Sequence, residues 1–272
     1  MKNPLRVFKS GIFGFFHDKI ERLVMIRRGI NSFKIGQSVE GRDINCYQIN
    51  NGASKVLFLA VIHGNEIGTR KLSHQLINWL FENKERYSKF TFDIIPCLNL
   101  DGYSQALKNP DYFGGGRVGR ANSHKVDLNR NFKTPSFTSN AFWTHGKDYS
   151  ESTKVFAGPY ANSEPEIQAL TKLIKTKKPM LVFSFHNAGK DVVGNELELA
   201  QRFAKLFSLI TGYRYLSVSD WKRFGQTGSF YEWCTLNHIP IIEIESENRY
   251  GSDWNRQKEA IEKVLEEIAN QC

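Results

Sequence analysis

The stretch KVLFLAVIH (Lys55–His63) is apolar without interruption between its two polar ends, as expected of a strand buried on both faces. The next residues, EIGTRKLSHQLINWLFENKERY, place Ile67, Leu72, Leu76, Trp79 and Leu80 at helical spacing, and FTFDIIPCLN reads as another strand. Upstream, FKIGQSVEGRDINCYQIN reads as two strands meeting at Glu40-Gly41, with the next turn at Asn51-Gly52. Residues 99–162 are irregular and rich in glycine, asparagine and aromatics; so long a segment inside a compact domain is usually functional. Ser163 and Glu166 then have capping-box spacing around Pro165, which predicts a helix through IQALTKLI. MLVFSFH reads as a strand, NELELAQRFAKLFSLI and GSFYEWCTLNH as helices, IPIIEIE as a strand and WNRQKEAIEKVLEEIAN as a closing helix. Strands alternating with helices predict a single α/β domain around a mostly parallel, mixed, twisted sheet flanked by helices. The expected division is a basic amphipathic helical extension over residues 1–34 and a domain over 35–272.

Composition agrees with one large core: 40% of the 272 residues are apolar. No apolar run approaches the roughly 18 residues that a membrane-spanning helix needs. The N-terminal GIFGFF is too short for a secretory h-region, Asp18 and Glu21 follow it, and no small-residue cleavage site is visible, so a cytoplasmic location is expected. Cys46, Cys97, Cys234 and Cys272 lie far apart without CxxC spacing, which predicts buried or terminal thiols. The formal charge of +9 is concentrated at the start, where Lys2, Arg6, Lys9, Lys19, Arg22, Arg27, Arg28 and Lys34 face only Asp18 and Glu21. Such a segment either rests weakly on an anionic surface or packs its apolar residues on the domain. No zinc finger, RNP-like motif or further basic stripe supports nucleic-acid binding.

The chemistry-bearing residues stand at strand ends. Ile62-His63, Phe185-His186 and Ile244-Glu245 each close an apolar run, and Asn99 opens the long loop. Ligands of open α/β sheets bind at the carboxyl ends of strands, so His63, Glu66, His186, Glu245 and the loop 99–135 can converge. His63 and Glu66 with His186, 120 residues further on, suit one zinc ion, and three protein ligands leave a position for water. Gly64 would let the backbone turn so that residues three apart face one ion. Taken alone, His186 would read as a satisfied histidine at a strand end; beside His63 and Glu66 it reads as a ligand. In GGGRVGRANSHKVDLNRNF, Gly-rich turns deliver Arg117 and Arg120, while Arg130 stands between Asn129 and Asn131. A guanidinium beside an amide suits a carboxylate, and a second arginine near a metal suits an oxyanion. The same stretch also reads as a structural polar loop with its arginines paired to local acids.

His63-x-x-Glu66, NLDGY, VDLNRNF, His186 and GQTGSF…IPIIEIE, in this order, resemble the zinc metallocarboxypeptidases of the carboxypeptidase A superfamily from about Ile35 onward. RANSHKVDLNRNF and GPYANSEPEIQAL look closest to the bacterial murein peptide amidase branch. The resemblance implies His63, Glu66 and His186 as ligands of one zinc ion and Arg120, with Arg117 as the alternative, as the arginine that polarises the scissile carbonyl. It implies Asn129 and Arg130 as the grip on a substrate's terminal carboxylate. Glu245 is implied as general base, because its separation from Ser229 matches the family; Glu243 and Glu247 are the competitors. The digestive enzymes carry a mobile tyrosine shortly before the Gly-Ser segment, whereas SDWKRFGQTGS offers only Trp221, Arg223 and Phe224. Strand alternation points Glu243 into the cleft with Glu245, where it either favours a cationic terminal residue or pairs with a structural arginine or lysine.

The implied function is zinc-dependent hydrolysis of an amide next to a free-carboxylate terminal residue, in a peptide or small amide substrate such as a murein peptide. The superfamily's aspartoacylase and succinylglutamate desuccinylase branch shares the HGNE signature but usually carries a β-rich C-terminal portion, whereas this chain passes from Glu245 to a closing helix. A cell-wall-peptide binding module with a degenerate site is the non-enzymatic reading.

Overall fold

The computed structural model describes residues 20–108, 118–146, 149–248 and 250–271. A helix α1 (residues 20–27) leads into β1 (Asn31–Gln37), which pairs antiparallel with β2 (Asp43–Ile49). Next come β3 (Ser54–Ala60), α2 (Ile67–Glu82), β4 (Phe90–Ile95) and α3 (Leu100–Lys108). A separate hairpin, β5 (Asn140–His145) with β6 (Glu151–Phe156), precedes α4 (Pro165–Lys177). The remainder comprises β7 (Leu181–Asn187), β8 (Asp191–Gly194), α5 (Glu198–Thr211), β9 (Arg214–Tyr215), α6 (Val218–Arg223), α7 (Phe230–Leu236), β10 (Ile241–Ser246) and α8 (Trp254–Ala269).

The main sheet has eight strands in the order β1-β2-β4-β3-β7-β10-β8-β9. Strands β4, β3, β7 and β10 run parallel to one another, while β2 meets β4, and β8 meets β10, in antiparallel fashion. Every residue of β4 and β7 is buried, the polar Thr91, Asp93 and Ser184 included, as expected of strands covered on both faces. Phe58 stacks on Phe183 with ring centroids 4.9 Å apart, and Phe183 lies 6.5 Å from Phe207 of α5, so aromatic contacts tie sheet to helix. Cys46, Cys97 and Cys234 are buried and free, while Cys272 lies outside the described residues.

Several local expectations are corrected. The sheet starts at Asn31, ahead of residue 35. Residues 99–162 are not uniformly irregular: they include α3 and the β5–β6 hairpin. Asn99 does not end a strand; its Oδ1 accepts from the Gly102 amide at 2.9 Å at the start of α3. No Ser163–Glu166 capping box forms. Glu164 is the N-cap of α4 without a side-chain cap, and the Ser163 hydroxyl donates to its carboxylate. Glu166 instead accepts from the Val39 amide at 3.2 Å and from Asn122 Nδ2 at 3.3 Å, so a long-range demand for acceptors overrides the local pattern.

Glu21 of α1 is held against the domain: it accepts from Arg70 Nη2 at 2.7 Å and from the Tyr47 hydroxyl at 3.1 Å. The residues 1–19 that carry Lys2, Arg6, Lys9 and Lys19, on which anionic-surface association would depend, lie outside the described residues.

Burial lifts the Glu166 carboxyl from 4.5 to about 7, with Asp101 adding to the rise. The folded chain therefore holds this proton more tightly than the unfolded chain does. This contribution to stability is fully present below about 4.5 and is lost as pH rises through about 7. The loss is on the order of 3 kcal/mol. Glu166→Gln is expected to flatten the dependence of the urea midpoint between pH 5 and pH 8; a variant curve as steep as the parent's would contradict this.

Candidate metal centre and active site

The first two candidate ligands sit in the turn between β3 and α2. Val61, just past β3, has a φ of +53°, a left-handed conformation that is costly for a β-branched residue. Its amide donates to Thr69 Oγ1 at 3.2 Å and its carbonyl accepts from the Asn99 amide at 2.9 Å, which fix the bend. The chain then turns through His63 to Glu66, the N-cap of α2. His186 is the penultimate residue of β7.

One donor atom from each of His63, Glu66 and His186 lies within 4.8 Å of the others, and all three residues are buried. The Glu66 carboxylate lies between two imidazoles, with Oε1 2.8 Å from His63 Nδ1 and Oε2 3.2 Å from His186 Nδ1. Donors around a tetrahedral zinc stand roughly 3.3 Å apart, so the spacing fits. The opposite ring nitrogens face orienting groups: His63 Nε2 is 3.2 Å from Asp127 Oδ1, and His186 Nε2 is 3.0 Å from Ser184 Oγ. Such contacts leave Nδ1 of each ring for a metal. Glu66 Oε2 and His186 Nδ1 are buried without an aligned hydrogen-bond partner, as expected of atoms aimed at a cation.

The electrostatics agree. Burial opposes ionisation of Glu66, yet His63 and His186 hold its carboxyl well below the usual range. Burial would likewise lower His186, but Glu66, Glu245 and Glu243 raise it to about 9. A cavity that draws a proton onto a buried imidazole is one that favours positive charge, and a dication replaces that proton.

Gly64 lies in the expected tight turn, closed by the Glu66 amide donating to the His63 carbonyl at 3.1 Å, and it serves a second purpose as well. A Cβ on Gly64 would stand 2.2 Å from the Gly102 carbonyl carbon, and one on Gly102 would stand 2.5 Å from the Gly119 oxygen. Gly119 has a φ of +76° and would meet the Gly102 oxygen at 2.5 Å. The backbones of the ligand turn, α3 and the arginine loop therefore touch directly. The Gly64 amide donates to the Arg120 carbonyl at 3.3 Å, as does Asn99 Nδ2 at 3.0 Å.

Arg120 is buried, its Nε donating to Asp127 Oδ2 at 2.8 Å while its guanidinium lies 4.4 Å from the centre of the Trp143 ring. The loop is thus structural in part, with an arginine paired to a local acid, yet the same arginine lines the cavity. Arg117 lies outside the described residues. Asp127 was not singled out from the sequence. Burial works against its ionisation, but Arg120, His63 and Arg130 keep its carboxyl far below the usual range, so one carboxylate orients both a metal ligand and an arginine. Its position two residues before Asn129 in VDLNRNF was the available signal.

A cavity of about 420 Å³ is lined by His63, Glu66, His186, Arg120, Asn129, Arg130, Glu243 and Glu245. Arg130 is 1% exposed, with Nε donating to the Phe142 carbonyl at 2.9 Å and Nη1 to the Asn129 carbonyl at 2.8 Å. Burial lowers its pKa to about 10. Asn129 is fixed by the Phe230 amide, which donates to its Oδ1 at 2.8 Å. Glu245 is the register partner of His186, and burial, with Glu66, Glu243 and Asp191 nearby, raises it to about 8 against the opposing pull of His186. Glu247 is exposed and 2.9 Å from Lys190, outside this cavity.

Glu243 is buried, and its Oε1 has no hydrogen-bond partner. Burial raises its pKa. Among the described residues its ion-pair contact is His186 Nε2 at 3.8 Å, so the expected pairing with a structural arginine or lysine is not formed. The wall opposite comes from the β5–β6 hairpin and the residues between its strands: Trp143, Thr144, His145, Gly146 and Tyr149. Here the cavity does acquire a tyrosine, from a part of the chain far from the Gly-Ser segment. Tyr149 donates to Asp191 Oδ2 at 2.8 Å and stacks on Phe224 with ring centroids 4.0 Å apart.

These features define a metallopeptidase-type centre, and comparison with known proteins gives the family. Residues 28–194 match the family model described as zinc carboxypeptidase, and the chain belongs to that family. His63, Glu66 and His186 supply the site for its zinc ion. The chain is 34% identical over 135 residues to murein peptide amidase A of Vibrio campbellii, an alignment covering 46% of this chain and 49% of that protein. It is 30% identical over 297 residues to the carboxypeptidase N catalytic chain of Rattus norvegicus, covering 87% of this chain and 64% of that one. These alignments span about half to two thirds of those relatives' lengths. Among solved structures, bovine thrombin-activatable fibrinolysis inhibitor superposes with a TM-score of 0.74 at 16% identity, covering 95% of this chain and 97% of that one. Murein-tripeptide amidase from Escherichia coli O157 gives 0.62 at 24% identity, covering 89% and 91%. Both share the mixed α/β fold. Among the described residues no helix is long and apolar enough to cross a membrane.

Proposed function

We propose that the protein is a zinc metallocarboxypeptidase that hydrolyses the amide preceding a terminal residue with a free carboxylate, with murein peptides such as γ-D-glutamyl-diaminopimelate as the substrate class. The observation that carries this is the meeting of the His63–Glu66–His186 set, Glu245, and the arginines Arg120 and Arg130 on one cavity wall. The similarity to a murein peptide amidase supports the substrate class. Zinc, when bound, supplies Lewis acidity and brings the pKa of a bound water toward about 7. Glu245 takes the proton of the attacking water and returns it to the leaving amine. Arg120, steadied by Asp127, donates to the oxyanion that develops on the scissile carbonyl oxygen. Asn129 and Arg130 hold the terminal carboxylate and orient the substrate.

Metal analysis combined with hydrolysis of γ-D-glutamyl-diaminopimelate tests this reading. One zinc per chain and release of diaminopimelate, abolished when the terminal carboxylate is amidated, is the expected result. Equal cleavage of the amidated compound would overturn it. The aspartoacylase-type alternative is not favoured, because β10 is followed directly by α8 and no β-rich portion succeeds it among the described residues.

Glu243 sets the preference for the terminal residue in this reading. A buried carboxylate with an Oε1 free of hydrogen bonds, and with no lysine or arginine ion pair among the described residues, favours a cationic group such as lysine, arginine or the side-chain amine of diaminopimelate. Glu243→Gln is expected to lower kcat/KM for a C-terminal lysine substrate by about tenfold or more while changing a C-terminal phenylalanine substrate much less. A parent enzyme that prefers phenylalanine would eliminate the cationic pocket.

A further inference from the structure

A row of side chains crosses the sheet beyond the residues used so far. His186 of β7 is the register partner of Glu245 of β10, Glu245 of Asp191 of β8, and Asp191 of Arg214 of β9. Directly paired residues on neighbouring strands project to the same face, and all four line the cavity. Strands lie about 4.8 Å apart, so the Arg214 backbone stands roughly 10 Å beyond that of Glu245, on the side away from His186.

Arg214 is a fixed cation. Its Nε is 2.6 Å from Asp191 Oδ1 and its Nη2 3.1 Å from Oδ2, a two-point clamp. Asp191 is buried and also accepts from Tyr149, whereas the Arg214 side chain is 49% exposed. The arginine therefore presents a positioned guanidinium at the mouth of the cavity. Arg130 and Glu243 lie deeper, at 1% and 2% exposure, and Glu243 is paired with Ser184 and Val193 one pleat further in. A substrate whose terminal residue is held at that depth extends its acyl portion toward the mouth, where the exposed Arg214 lines the cavity.

Resting on the carboxypeptidase reading above, we propose that Arg214, clamped by an Asp191 that Tyr149 holds in turn, is a specificity-determining residue that selects an acyl portion carrying a free carboxylate. A glutamyl residue fits. Linked through either its α- or its γ-carboxyl, it leaves the other carboxylate separated from the scissile carbonyl by three methylene or methine carbons, about 5 Å when extended. That length, with the reach of an arginine side chain, bridges the two-strand gap.

The test is equilibrium binding, which does not require turnover. Zinc-loaded Glu245→Gln protein is titrated calorimetrically with γ-D-glutamyl-diaminopimelate and with the same compound amidated at the glutamyl α-carboxylate. The two ligands share the leaving residue, so contacts with Glu243 and Arg130 cancel in their ratio. The carboxylate form is expected to bind about tenfold more tightly. Adding Arg214→Gln should remove the difference, and Arg214→Lys should restore part of it, because lysine keeps the charge but not the fork. Equal binding of the two ligands, no binding of the carboxylate form, or a preference that survives Arg214→Gln each overturns the assignment. If the preference depends on Arg214 but the zinc-loaded parent hydrolyses neither compound, Arg214 keeps its role and the hydrolase reading is the one that fails.

Discussion

Glu245→Gln is expected to bind zinc as the parent does and to lose turnover by about 10²–10⁴-fold, the range a general base contributes. Glu245 is outside the His63–Glu66–His186 set, so its loss removes no ligand. It stands beside that set, in register with His186, at a cavity wall that the substrate must pass. Glutamine keeps the shape and one acceptor oxygen but cannot take and return a proton. In the metal-free chain burial raises this carboxyl to about 8, so the fold already accommodates a neutral group at the position. The effect should appear in kcat with little change in the binding of a non-cleaved ligand. Parental turnover in a zinc-replete variant would remove Glu245 from the mechanism.

Glu66→Gln has the other large expected effect, on the metal itself. The carboxylate bridges the two imidazoles through different oxygens, and the rings face each other with centroids 5.2 Å apart. Replacing it with an amide removes the one anionic donor and leaves two neutral rings. Loss of an orienting contact around a metal ligand alone costs 10- to 100-fold in affinity, so loss of the ligand should cost more than about 100-fold. Without the carboxylate the two buried imidazoles lose the charge that draws a proton onto them and rest neutral, so the apo fold should survive. Competition with a chromogenic chelator measures the affinity, and far-ultraviolet circular dichroism confirms that the chain remains folded. Zinc retained at parental affinity would refute the ligand set.

The parts of the fold that could be read from sequence are those where burial writes a pattern. Strand β3 and the first residues of β7 are near-continuous apolar runs because they are buried, and α2, α5 and α8 follow from spacing. Strands β8 and β9 have four and two residues, too few to show a period, although they carry Asp191 and Arg214. Hairpin β5–β6 is half exposed and sits in a stretch of mixed polarity.

The site divides in the same way. His63, Glu66, His186 and Glu245 stand at or just beyond strand ends, where topology makes them converge. Tyr149 acts through a contact with a residue distant in sequence and no local pattern marks it, whereas Asp127 is marked only by its place in VDLNRNF. The left-handed Val61 is invisible for a different reason: its backbone is imposed by Thr69 and Asn99 against its own preference.

The contact among Gly64, Gly102 and Gly119 sets a mechanical tolerance for catalysis. The separation between the metal-ligand turn and the arginine loop is the thickness of bare main chain, with nothing compressible between them. Under the proposed mechanism, a single methyl group at any of the three would act as a shim, levering Arg120 away from the scissile carbonyl while leaving every proposed catalytic side chain in the sequence. Displacements near 1 Å can cost about 10² in rate. The gauge that aligns this active site is therefore built from residues that have no side chains at all.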